Sequence, residues 1–188
     1  MSQTLYQILF PFLKGIVLML RILPPEAFNR CCLFLPGRLI VYGLKHYGAR
    51  IGEDTTISVP TTFHNFAEKK KVFFSNLDIG DHCYLGRDLF LDLKEKIVIE
   101  NNVTLGMKVT IITHTDVGKS PLKEQYIPNS SSPVVIRKGA YIGANVTILQ
   151  GVEIGEMSII GAGAIVTQSV PPHTLYACVP SRKIKDIT

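Results

Sequence analysis

Aliphatic side chains recur at every sixth position along most of this chain, and few folds accommodate that period. Ile136, Ile142, Ile148, Ile154, Ile160 and Val166 form an unbroken run. Ile99, Leu105 and Ile111 form a second run, extended backwards by Leu93; Phe73, Ile79, Leu85 and Leu91 form a third, and Ile51, Ile57 and Phe63 a fourth. Four positions after each aliphatic comes a small or medium side chain, such as Thr55, Thr61, Cys83, Val103, Ala140, Val146, Ser158, Ala164 and Val170. A period of six matches neither the 3.6-residue helix nor one long alternating strand. It matches short strands joined by corners, three to a turn. The aliphatic and the small residue both point into a narrow prism and stack from coil to coil. Gly often follows the aliphatic, at Gly52, Gly80, Gly86, Gly106, Gly143, Gly155 and Gly161, as expected where a corner needs dihedrals that other residues avoid. An open prism end exposes unpaired backbone, so a repeat domain over 51–170 is expected to be capped by residues 1–50 and 171–188.

The register is lost after Ile111 and resumes at Ile136. The interval contains Gly118, Pro121, Pro128 and Ser130-Ser131-Ser132, which cannot continue the coil, so 114–133 is expected to leave the prism as a long loop. His114 stands where coil gives way to loop, held at the edge of a rigid scaffold.

Before the repeat the chain has a different character. Between Leu5 and Leu23, Leu5, Ile8, Leu9, Phe12, Ile16, Met19, Leu20 and Leu23 follow helical spacing. Gln7, Lys14 and Arg21 interrupt the stretch, which argues against a spanning helix; neither a basic leader nor a small-residue cleavage site marks a secretory signal. A second apolar stretch occupies 31–44. Residues 1–50 carry Lys14, Arg21, Arg30, Arg38, Lys45 and Arg50 against Glu26 alone, which accounts for the whole net charge of +5. The repeat region is balanced, which ranks a nucleic-acid binder last among the readings. Two readings of residues 5–44 stand side by side: packing against the repeat domain or a neighbouring subunit, or peripheral contact with an anionic membrane surface. Cys31, Cys32, Cys83 and Cys178 show no metal-ligand spacing and are expected to be reduced thiols of a cytosolic protein.

Three stretches are similar to the hexapeptide-repeat acyltransferases. Val109-Thr110-Ile111-Ile112-Thr113-His114 resembles the strand that ends in that family's catalytic histidine. Tyr141-Ile142-Gly143-Ala144-Asn145-Val146-Thr147-Ile148 resembles the segment that opens the last coils. Ile160-Gly161-Ala162-Gly163-Ala164-Ile165-Val166-Thr167, with Val170-Pro171-Pro172 and Val179-Pro180-Ser181-Arg182-Lys183-Ile184-Lys185, resembles the C-terminal signature. The branch most resembled O-acetylates sugars and surface polysaccharides. The implied fold is an all-β, left-handed parallel β-helix with N-terminal apolar helices and a short C-terminal cap.

The resemblance further implies an acetyl-CoA-dependent O-acetyltransferase without a metal, with His114 as general base, because a sugar hydroxyl needs its proton removed as the new ester bond forms. Asp116 stands two residues on as a candidate to orient the imidazole, and Glu124 is a weaker one. For acetyl-CoA the resemblance implies Ala144 and Ala162 against the pantetheine arm, Thr167 nearby, Arg182 and Lys185 toward the phosphates, and Tyr141 lining the groove. His46, His64, His82 and His173 are read as non-catalytic. The family also implies a homotrimer. Met107-Lys108 and Arg137-Lys138-Gly139 depart from the usual corners and leave the acceptor open. The leading expectation is a surface-polysaccharide or lipid-linked glycan precursor at the inner face of the cell membrane. A soluble acceptor (antibiotic, serine or free sugar) and a non-catalytic β-helix scaffold remain as alternatives.

Overall fold

The computed structural model describes residues 22–66 and 73–187, together with Gly15 and Met19. Most of the helical spacing from Leu5 to Leu23 therefore lies outside the described residues.

Each turn of the chain contributes one strand to each of three sheets. The first coil holds β1 (Arg50–Ile51), β2 (Thr56–Ile57) and β3 (Thr61–His64). The second holds β4 (Leu77–Ile79), β5 (Tyr84–Leu85) and β6 (Leu89–Asp92), and the third β7 (Ile97–Ile99), β8 (Thr104–Leu105) and β9 (Thr110–Ile111). An arm then leaves the prism, built from β10 (His114–Thr115), a short helix α3 (Leu122–Gln125; α1 and α2 precede β1) and β11 (Ser130–Ser131). The fourth coil follows with β12 (Val134–Ile136), β13 (Tyr141–Ile142) and β14 (Thr147–Ile148), and the fifth with β15 (Glu153–Ile154), β16 (Ile159–Ile160) and β17 (Ile165–Val166).

All coil-to-coil pairs are parallel. The first sheet runs β1-β4-β7-β12-β15 and the third β17-β14-β9-β6-β3. The second runs β16-β13-β8-β5-β2 and is extended by β18 (Thr174–Ala177) and β19 (Arg182–Asp186). This is the left-handed parallel β-helix. Registers such as Leu91↔Ile111 and Ile111↔Ile148 place the six-step aliphatics one above the other, and Leu91, Ile111, Ile148 and Val166 are all buried. Thr61, Cys83, Val103, Val109, Ala140, Val146, Ser158 and Ala164, the small positions, are buried as well.

Two expectations are corrected by the backbone. Phe73 does not begin the second coil; it lies in a turn and is only partly buried, while Phe74 enters the core and meets Phe63 edge-on at 5.5 Å. The chain between β3 and β4 is longer than one corner, so the six-step count across it does not hold. The glycines that follow the aliphatics also have a different purpose from the one inferred. The left-handed corner residue comes two positions later, at Asp54, His82, Asp88, Asn102, Lys108, Gly139, Asn145, Gly151, Met157 and Gly163. Gly106 and Gly143 are needed because the next coil's backbone presses on them: a Cβ would stand 2.7 Å from Ala144 N and 2.6 Å from Ala162 N respectively.

Both prism ends are covered. At the start, α1 (Pro25–Cys31) and α2 (Gly37–His46) lie over the first coil and bury Phe28, Ile40 and Leu44. The Asn29 amide donates to Phe63 O at 2.9 Å, which ties α1 to β3. At the other end Val170 bridges to Ile154, and β19 folds back antiparallel on β18. No helix among the described residues is long and apolar enough to cross a membrane.

Candidate active site

The third sheet ends at one edge of the prism, and the polar groups of the site gather there. His114 opens the arm, and its strand pairs with Ser130–Ser131 in the register His114↔Ser131 and Thr115↔Ser130. Gln150 braces this hairpin by donating to Thr115 Oγ1 and Ser130 Oγ. The arm and coil enclose a pocket of about 220 Å³ lined by Lys94, His114, Thr115, Asp116, Asn129, Ser130 and Ser131.

The imidazole is held by Asp92, not Asp116. His114 Nδ1 lies 2.5 Å from Asp92 Oδ2. The same oxygen accepts the Thr113 N–H at 2.9 Å and the Thr113 hydroxyl at 3.0 Å, while Oδ1 accepts the Asn65 amide at 2.8 Å and the Lys94 N–H at 3.3 Å. Burial pushes the Asp92 carboxyl up, but the bonds from His114, Thr113 and Asn65 outweigh it and hold the acid at about 2. The group is therefore a carboxylate at neutral pH, and it fixes both the ring's orientation and its tautomer: Nδ1 donates, leaving Nε2 to accept.

Asp116 lines the same pocket, but its carboxylate turns away to accept the Gly118 N–H at 2.8 Å, a bond that lowers its proton affinity. Glu124 sits on the exposed helix α3 of the arm. His64, set aside in the sequence, is a neighbour of the site: its ring is stacked with that of His114 at 6.3 Å, and its Nδ1 is 3.7 Å from Asp92 Oδ1.

The candidate acetyl-CoA residues occupy other places in the single chain. Ala144 and Ala162 follow β13 and β16, at the edge between the second and third sheets. They stack there, with the Gly163 N–H donating to Ala144 O at 2.8 Å. Thr167 follows β17, on the same edge as His114 but two coils later. Tyr141 is exposed on the second sheet, in the row Tyr141↔Ile159↔Leu175↔Lys185, and Arg182 starts the closing strand. One protomer thus does not bring His114 together with the Ala144–Ala162 edge.

The unusual corner Arg137-Lys138-Gly139 is explained by coil packing. Arg137 donates to Glu100 and Glu153 on the coils to either side, each at 2.8 Å, and Gly139 takes the left-handed corner position.

Residues 133–168 match the family model of bacterial transferase hexapeptides (six repeats). The chain is 30% identical to the galactoside O-acetyltransferase of Escherichia coli K12 over 181 residues, which covers 89% of this chain and 88% of that protein. The chain belongs to the hexapeptide-repeat acetyltransferase family. A galactoside O-acetyltransferase of Lactococcus lactis is 32% identical over 86% of this chain and 75% of its own length. Among solved structures, a galactoside acetyltransferase in complex with coenzyme A superposes with a TM-score of 0.74 at 27% identity, covering 92% of this chain and 82% of that one. A hexapeptide-repeat acetyltransferase of Vibrio cholerae superposes with a TM-score of 0.72 at 25% identity, covering 92% and 93%. As a member of this family the chain is an acyltransferase with acetyl-CoA as its co-substrate.

Sequence reasoning missed Asp92 and Asn65. A signal for Asp92 existed: it follows the inward Leu91, and Leu91 stacks on Ile111, three residues before His114. Matching the runs coil by coil would have set residue 92 beside the Thr113-His114 corner. Nothing comparable marked Asn65, because its corner leaves the repeat.

Proposed function

We propose that this acetyltransferase moves acetyl from acetyl-CoA to a sugar hydroxyl of a surface-polysaccharide or lipid-linked glycan precursor, with His114 as general base. The observation that supports this most is the short contact from His114 Nδ1 to the buried Asp92 carboxylate. That carboxylate stabilises the imidazolium formed when Nε2 takes the hydroxyl proton. The acceptor oxygen bonds to the thioester carbonyl carbon, the C–S bond breaks, and the proton passes from Nε2 to the departing sulfur. Transfer is direct; no Ser or Cys nucleophile is needed.

Acetyl-CoA is assigned to the stacked Ala144–Ala162 edge, with Thr167 and Tyr141 alongside and Arg182 and Lys185 toward its phosphates. Because His114 stands on a different edge, a neighbouring copy of the chain supplies the other half of the site. This favours a homotrimer of prisms with the acetyl group at the seam. The N-terminal elements suit a peripheral position at the inner face of the cell membrane. Phe34 is 84% exposed and Ile22 74% exposed, and Arg30 and Arg38, four positions before and after Phe34 in the chain, are exposed as well. Exposed apolar and basic side chains within one short stretch of chain suit an anionic lipid surface.

The test is His114→Ala. Acetyl-CoA binding, measured by calorimetry, should stay within about threefold of the parent, while thiol release with a glycan acceptor falls about 10³-fold or more. Undiminished turnover in that variant removes His114 as the base. Sedimentation with vesicles of anionic and of zwitterionic lipid tests the location: binding to the anionic vesicles alone, lost in Phe34→Glu, is expected.

A further inference from the structure

The corner that follows β3 departs from every regular corner of the prism. In the regular ones the left-handed residue stands three positions after the inward aliphatic, as at Asp54 after Ile51 and Asn145 after Ile142. After Phe63 it comes one residue early, at Asn65, with φ +54°. The early turn takes the chain out of the coil, and it delivers the Asn65 amide to Asp92 Oδ1 at 2.8 Å.

We infer that Asn65 is a positioning residue for catalysis, acting on His114 through Asp92. A carboxylate that serves an imidazole must be held at both oxygens. Oδ2 is committed to Thr113 and His114, so it is Oδ1 that decides whether the group can rotate. The Lys94 N–H reaches Oδ1 at 3.3 Å, a long bond, and His64 Nδ1 stands at 3.7 Å, beyond hydrogen-bond reach. The Asn65 amide is therefore the principal clamp. The corner that carries it is itself braced, because Phe63 is buried between the ring of Phe74 and the core, and its carbonyl accepts the Asn29 amide. The helix α1 that caps the prism thus supports a chain of contacts running Asn29, Phe63, Asn65, Asp92, His114.

This inference rests on His114 as the base, and the experiment separates the two. Asn65→Gly keeps the left-handed corner without strain but deletes the amide; Asn65→Ala deletes the amide and strains the corner. Stability is read by urea denaturation and activity by thiol release, with KM for acetyl-CoA measured in parallel. The expected result is that kcat falls about tenfold in both variants, with KM for acetyl-CoA unchanged, although the glycine variant loses only the stability of the deleted amide bond and the alanine variant loses more. A purely structural role predicts instead that activity follows stability, so that Asn65→Gly keeps clearly more activity than Asn65→Ala. That result, or a fall confined to KM, overturns the inference. If the parent and His114→Ala turn over equally, the assignment of the base fails instead, and the Asn65 comparison is not what decided it.

Discussion

Replacing Asp92 by asparagine removes one charge and preserves the shape of the site, so its effect can be worked from the geometry. An imidazolium facing a carboxylate at 2.5 Å is stabilised by about 7 kcal/mol at an effective dielectric near 20. A neutral amide oxygen in the same place returns about 1 kcal/mol as an ordinary hydrogen bond. His114 is partly open to water, which reduces the difference to about 3–5 kcal/mol, or roughly 10²–10⁴ in kcat. Asparagine cannot satisfy its surroundings either, since every group around Asp92 is a donor: Thr113 and His114 on one oxygen, Asn65 and Lys94 on the other. Its NH₂ must face one of those sets. The assay is thiol release from acetyl-CoA under saturating acceptor, with Asp116→Asn in parallel, because Asp116 bonds Gly118 and not the ring. The expected result is a loss of at least 10²-fold for Asp92→Asn, unchanged KM for acetyl-CoA, and less than about threefold for Asp116→Asn. A fully active Asp92→Asn, or equal losses in both variants, would refute the assignment of the orienting carboxylate.

Acid stability gives a second prediction. Asp92 is held at about 2 in the folded chain against its usual 3.8, so the unfolded chain binds the proton first as pH falls. The resulting stability, about 2 kcal/mol, is fully present above pH 4–5 and is lost as pH drops toward 2; urea midpoints at pH 5, 4 and 3 should fall more steeply in the parent than in Asp92→Asn. A third concerns the corners. Gly143→Ala sets a Cβ 2.6 Å from the backbone of Ala162 and should cost about 3 kcal/mol. Gly163→Ala has nothing within 4 Å and meets only its φ of +74°, so it should cost about 1–2 kcal/mol by the same urea measurement.

The prism was legible in the sequence because stacking repeats the same environment at each coil. Ile136 and Ile154 occupy equivalent places, so selection for a narrow apolar interior leaves a period that can be counted. The arm was legible for the complementary reason: Pro121 and Pro128 cannot join a ladder. What escaped was what depends on contacts between coils. The pairing of His114 with Asp92 spans 22 positions and is visible only once the runs ending at Leu91 and Ile111 are stacked as neighbours. The glycines were misjudged in the same way. Sequence shows that Gly143 lacks a side chain, but only the neighbouring coil shows that the reason is Ala162 rather than an unusual dihedral. Asn65 left no trace in the repeat, since its value lies in breaking it.

Determining the assembled protein with coenzyme A bound examines the main point most directly. The account predicts a threefold assembly in which the thiol sulfur lies within a few ångströms of His114 Nε2 of one protomer, while the pantetheine follows the Ala144–Ala162 edge of its neighbour. A coenzyme bound wholly within one chain and remote from His114, or an assembly that seals that ring away from every seam, would contradict it.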